Sequence, residues 1–157
     1  MSLSIPLEQF TATLFETLDE TFEQVQGIYL DRGTSLFETL AGITAETASK
    51  PVSSTCATLA AQVEHVRFYL DILNDVLMGK DVKNVDWGEI WRTVSLVTAE
   101  EWLASQARLR ESYRAVRGTL SNEETWKNDD AVSGALAILV HTAYHLGEIR
   151  QALCTLL

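Results

Sequence analysis

Cysteine and proline are scarce: two of each in 157 residues. Two thiols, Cys56 and Cys154, cannot make a disulfide framework. They fit a reducing cytoplasm, where small buried thiols are common. Glycine is also sparse, at 8 residues, which excludes collagen-like and low-complexity chains. No uninterrupted apolar run approaches the roughly 18 residues that a membrane-crossing helix needs. Met1 to Phe10 have no basic start and no apolar stretch, so no secretory signal is expected. Basic residues are outnumbered, 12 against 22 acidic, for a net charge of −10. Such a surface repels polyanions unless its cations gather in one patch. The one basic cluster, Arg108, Arg110, Arg114 and Arg117, is interrupted by Glu111 and reads as a solvated helix face. Nucleic acid and anionic membrane are therefore not expected partners. The remaining composition, 46% hydrophobic and 22% charged, is that of an ordinary globular protein. The length suits a single domain over residues 1–157 and is too short for two comfortable ones.

The apolar period is helical almost everywhere. Phe10, Leu14, Leu18, Phe22, Val25 and Tyr29 recur at three- and four-residue steps and form one stripe. Ser4 is the candidate cap of this helix, Pro6 suits a first turn, and Gly27 and Gly33 bracket its end. Ser35-Leu36-Phe37-Glu38 reads as a capping box opening a short helix that stops near Gly42. Residues 43–53 read as a loop. A second long helix is expected from about Ser54 to Met78, with Gly79 as its C-cap and a polar stripe of Glu64, Arg67, Asp71 and Asp75. Residues 80–97 read as a connector with one short helical turn. Thr98 to Glu101 form another capping box, followed by a seam of Ala99, Trp102, Gln106, Leu109, Tyr113, Val116 and Leu120. Residues 121–130 read as a loop, and Asp129 or Asp130 caps a last helix to about Thr155. Four helices of this length predict an all-α four-helix bundle, with at least one connector long enough to cross it.

Three histidines stand out. His141 and His145 are spaced i, i+4, which puts both imidazoles on one helix face, one turn apart, where they can share a metal ion. Glu148 falls about 20° from the same stripe at 100° per residue. His65, on the second long helix, is the one other histidine and lies away from that helix's polar stripe. Three neutral imidazoles would leave coordination positions open, as catalytic metal sites do. The competing reading makes His141, His145 and Glu148 a solvent face. Gly134 and Ala137, small residues on the histidine face, favour close packing instead. Cys56 and Cys154 are about 180° around their helices from the nearest histidine and read as small core or edge residues, not ligands. Tyr69, one turn after His65, lines the cleft or packs in the core. Gln106 either hydrogen-bonds in a pocket or sets the register. The four tryptophans, Trp87, Trp91, Trp102 and Trp126, read as core and connector anchors.

The stretches HTAYHLGEIRQ (141–151) and LAAQVEHVRFYLDIL (59–73), with Asp86-Trp87 and Glu101-Trp102, resemble the DinB-like family, the bacterial DinB/YfiT superfamily of metal-dependent enzymes. The resemblance covers nearly the whole chain. Its most specific part is H-x-x-x-H-x-G followed by an acidic or amide residue, combined with the lone histidine early in the second long helix. It implies a four-helix bundle in up-down-down-up order with a long crossover. It also implies a triad of His65, His141 and His145 holding a divalent ion at the mouth of a cleft. Three imidazoles do not distinguish Zn, Ni, Fe and Mn. Many members carry Gln where this chain has Glu148. Characterised relatives include thiol-dependent S-transferases and a mycothiol-dependent isomerase. The expected function is therefore a metal-dependent enzyme, hydrolase or low-molecular-weight-thiol S-transferase, activating a water or a thiol, with Glu148 as base or orienter. The alternative is a non-catalytic, stress-related metal-binding bundle. A small-molecule substrate and a homodimer are the expected partners, the latter because wide apolar faces exceed what one small bundle covers. Histidine's ordinary pKa sets the expected loss of metal below about pH 6.5.

Overall fold

The computed structural model describes residues 4–157. Seven α-helices occur among them: α1 (Leu7–Phe22), α2 (Leu36–Ala41), α3 (Ala45–Ala48), α4 (Leu59–Leu77), α5 (Glu89–Thr93), α6 (Ala99–Leu120) and α7 (Ala131–Leu156). A 3₁₀ turn, Glu123–Lys127, joins the last two. No strand forms among the described residues; Pro51 and Thr58 make one isolated antiparallel bridge. No helix there is long and apolar enough to cross a membrane.

Four of the helices are long. α4 packs chiefly on α6 and α7, and α1 lies against both of these. The hydrophobic cluster runs through all four, with Leu18 and Phe22 from α1, Val63 and Leu70 from α4, Leu109 and Val116 from α6, and Ala135 and Ile138 from α7. Tyr113 stacks on Phe22 at 4.1 Å between ring centroids, and its hydroxyl donates to Asp19 at 2.6 Å. The seam expected on α6 is buried at Trp102, Leu109, Tyr113, Val116 and Leu120; Ala99 is exposed and Gln106 half-buried. Trp102 anchors α6 to the α2–α3 junction by donating its indole N–H to the Ile43 carbonyl at 2.7 Å.

Both capping boxes form. Ser35 and Glu38 close the start of α2, and Thr98 and Glu101 close the start of α6. Other boundaries differ from the sequence reading. α1 is capped by Pro6, not Ser4, and stops at Phe22 although its apolar stripe runs on to Tyr29. The cause is Glu20, fully buried, whose carboxylate accepts the backbone N–H groups of Gln26, Ile28, Tyr29 and Leu30 at 2.6–2.8 Å. Those donors are drawn toward one side chain, and Gly27 takes φ +91° in the turn that results. Residues 43–53 are not wholly loop, because Thr44 caps the single turn of α3. α4 begins at Leu59 under Thr58, five residues later than expected, so Cys56 lies in the preceding turn. Gly79, at φ +73°, follows the C-cap Met78.

Two polar surfaces also differ from expectation. Glu64 is buried and accepts from Ser105 at 2.8 Å, from Arg67 at 2.6 Å and from Arg108 at 3.4 Å, tying α4 to α6. The arginines of α6 are not simply a solvated face. Arg110 pairs with Glu23 at 2.7 Å and Arg117 with Asp19 at 3.1 Å, clamping α6 to α1 and the residue after it.

Candidate metal centre

His141 and His145 stand one turn apart on α7, and His65 meets them from α4. Gly134 helps the two helices approach: a Cβ there would lie 3.1 Å from Leu77 Cδ2. The ring centroids of the three histidines are 4.5–5.0 Å apart. Their ligand-capable nitrogens all lie within 4.8 Å of one another, so the group could hold a metal ion. The Nε2 atoms of His65 and His141 are 3.1 Å apart. Two nitrogens bound at about 2.0–2.1 Å to one tetrahedral ion would stand roughly 3.3 Å apart, so this spacing fits a shared cation.

The donor set is in the form that binds metal. Burial, followed by the charge of His145, lowers the His65 pKa to about 4. Burial, followed by His145 and His65, lowers that of His141 to about 3. Burial also lowers His145, against the opposing pull of Glu148. All three rings are therefore neutral near pH 7. A neutral pair of facing Nε2 atoms can share only one proton, whereas a cation between them uses both lone pairs. The Nδ1 atoms of His65 and His141 are buried and make no hydrogen bond.

His145 differs from its neighbours. Its Nδ1–H donates to Gln62 Oε1 at 2.6 Å and lies 2.9 Å from Glu148 Oε2. One proton shared by two acceptors fixes the ring's tautomer and leaves Nε2 free to coordinate. Glu148 is therefore a partner of His145, outside the triad. Gln62, one turn before His65, escaped the sequence reading because a glutamine on an apolar helix carries no signal of its own.

Aromatic rings wall the centre. Tyr69 stacks on His141 at 3.5 Å between centroids and 9° between planes; it is half-buried against the histidine cluster and is not part of the hydrophobic core. Trp91, from α5, covers His65 at 4.3 Å, and Trp87 packs on Phe68 and Tyr69. These two tryptophans are connector residues that reach the site, while Trp102 and Trp126 are anchors, the latter donating to the Leu120 carbonyl at 3.0 Å. Tyr144 flanks His145 at 5.0 Å. Its phenol is held above its ordinary pKa by the hydrogen bond and charge of Glu148. A cavity of about 570 Å³ opens beside His145, lined among others by Cys56, Gln62, Trp91, Tyr144 and Glu148. Cys56 and Cys154 are both exposed free thiols, so of the core-or-edge reading only the edge position holds.

No protein-family model, no curated protein and no solved structure matches the chain.

Proposed function

We propose that this protein is a metal-dependent enzyme of small-molecule chemistry, using His65, His141 and His145 to hold one divalent ion. The observation that carries the reading is the convergence of three neutral imidazoles from two helices, His65 and His145 buried and His141 half-buried, with the Nε2 atoms of His65 and His141 3.1 Å apart. A divalent ion held there would supply Lewis acidity, making a water or a thiol nucleophilic near neutral pH. Zn, Ni, Fe and Mn all suit the donor set. The chain's own residues do the rest. Gln62 and Glu148 hold the His145 ring through Nδ1–H, and Glu148 is the one carboxylate placed to take a proton in the cavity. Trp91 and Tyr69 exclude water from two of the rings. The reaction is hydrolysis or transfer to a low-molecular-weight thiol.

In this reading the four long helices form a four-helix bundle of the DinB-like kind, in up-down-down-up order with a long crossover. The family reading rests on the motif residues given above. Two exposed free thiols fit a reducing compartment, so the proposed location is the cytoplasm. The proposed protein partner is a second copy. Val132, Leu136, Val140 and Tyr144 recur every four residues on α7 and are all exposed.

Elemental analysis of the protein as purified, beside His141→Ala and His145→Ala, tests the metal reading. One ion per chain is expected, lost in both variants while helix content persists, because the hydrophobic cluster does not depend on either ring. Full, tight stoichiometric metal in either variant would overturn the assignment.

A further inference from the structure

The walls of the cavity beside His145 carry information about what enters it. Neither this cavity nor the adjoining one of about 780 Å³, which shares Cys56, Gln62, Tyr144 and Glu148, is lined by any lysine or arginine. Nine of the twelve basic side chains are engaged elsewhere in ion pairs, and none of the other three, Arg32, Arg114 and Arg150, lines either cavity. A carboxylate or phosphate entering here would meet no lysine or arginine, would face Glu148, and would do so on a chain of net charge −10.

A cation meets the opposite. The Glu148 side chain is 37% exposed and accepts from His145 Nδ1 on one oxygen. A carboxylate offers about four acceptor sites, so hydrogen bonds to His145 and Tyr144 leave capacity for a further donor. Trp91 and Tyr144 present exposed aromatic faces in the same cavity. An ammonium is attracted to the negative face of such a ring, more strongly as water is excluded. Glu148 also lies on the Nδ1 side of His145, away from the clustered Nε2 atoms. A ligand anchored there by one end has its other end free to reach the centre.

We propose that this cavity recognises a small molecule through a protonated amine seated between the Glu148 carboxylate and the indole of Trp91, and that its substrates carry no unpaired anionic group. For the role of the centre the proposal rests on the metal-enzyme reading. Its recognition chemistry rests on residues outside the triad and is measurable without metal.

The test is a charge series of one shape, n-butylammonium, n-butanol and n-butyrate, titrated into metal-free protein at constant ionic strength and followed by tryptophan fluorescence. n-Butylammonium is expected to saturate and to bind about tenfold tighter than n-butyrate, with n-butanol between them. Glu148→Gln is expected to bring the ammonium down to the level of the alcohol. Trp91→Leu, at an exposed position, is expected to weaken the ammonium most. Equal affinities, a preference for butyrate, or no saturable binding of n-butylammonium would overturn the proposal. So would a preference that survives both substitutions. Metal content of the same preparation separates the two ideas. A protein that takes up no metal but prefers the ammonium defeats the metal reading alone, and a metal-loaded protein without the preference defeats this one alone.

Discussion

His65 and His141 are held neutral mainly by burial, then by the neighbouring imidazoles, at pKa values of about 4 and about 3. Because the folded values lie below the ordinary 6.5, their contribution to stability is present above that pH and is lost as pH falls toward 4 and 3. The same depression postpones competition between proton and metal. Metal is therefore expected to remain bound after dialysis at about pH 5, below the limit of about 6.5 that unperturbed histidine would set. Complete loss near pH 6 would show that the rings titrate as exposed histidines. Glu148 allows a second measurement. It touches His145 Nδ1 and stands outside the triad. Glu148→Gln is thus expected to keep the metal and to lower turnover by about 10- to 100-fold, the usual cost of losing a residue that orients a ligand. Metal content and rate on that variant distinguish an orienter from a ligand, which would lose metal, and from a bystander, which would change neither.

Glu20 shows how one side chain sets the length of an element. Burial raises its pKa, but four backbone N–H groups together prevail and bring it down from 4.5 to about 2. Its contribution to stability is therefore present above about pH 4.5 and lost as pH falls toward 2. Glu20→Gln turns an amide NH₂ toward some of those donors, so about 2–4 kcal/mol of stability at neutral pH is expected to go. Denaturant titration of both proteins at pH 7 and near pH 3 checks this, and the gap between them should narrow in acid. An unchanged midpoint at pH 7 would mean that the α1–α2 connection does not depend on Glu20. The capping boxes of α2 and α6 are the simpler case. Ser35 and Thr98 are each satisfied within three residues, so these helix starts were legible in the chain.

Across the whole molecule, α7 has two opposed jobs. One side buries Gly134, Ala135, Ile138, His145 and Ile149, and the other leaves Val132, Leu136, Val140 and Tyr144 in water. In a chain of net charge −10, an uncharged stripe is where two copies meet with least repulsion. Light scattering at high micromolar concentration is expected to give twice 17.5 kDa, and Val140→Glu to shift the protein toward monomer. A wild-type monomer would remove the stripe's assigned role. Tyr144 also borders the cavity, so the same variant reports on ligand entry if the dimer covers its mouth.

The line between what the chain reveals and what folding adds follows the range of the interactions. All-helical character, the two capping boxes and the His141–His145 pair depend on contacts three or four residues apart, and such contacts follow from backbone geometry once the helix exists. His65 is 76 residues from His141, and Gln62 is 83 from His145; their meeting depends on which faces of α4 and α7 pack together. Periodicity placed His65 off the polar stripe without supplying its neighbours. Glu64, which the same periodicity put in solvent, is buried because Ser105 and Arg108 on α6 satisfy it. The end of α1 and the placing of Trp91 over His65 likewise arise from hydrogen bonds or ring contacts between segments. A side chain's polarity says what it costs to bury, whereas the partner that offsets the cost is supplied by another part of the fold.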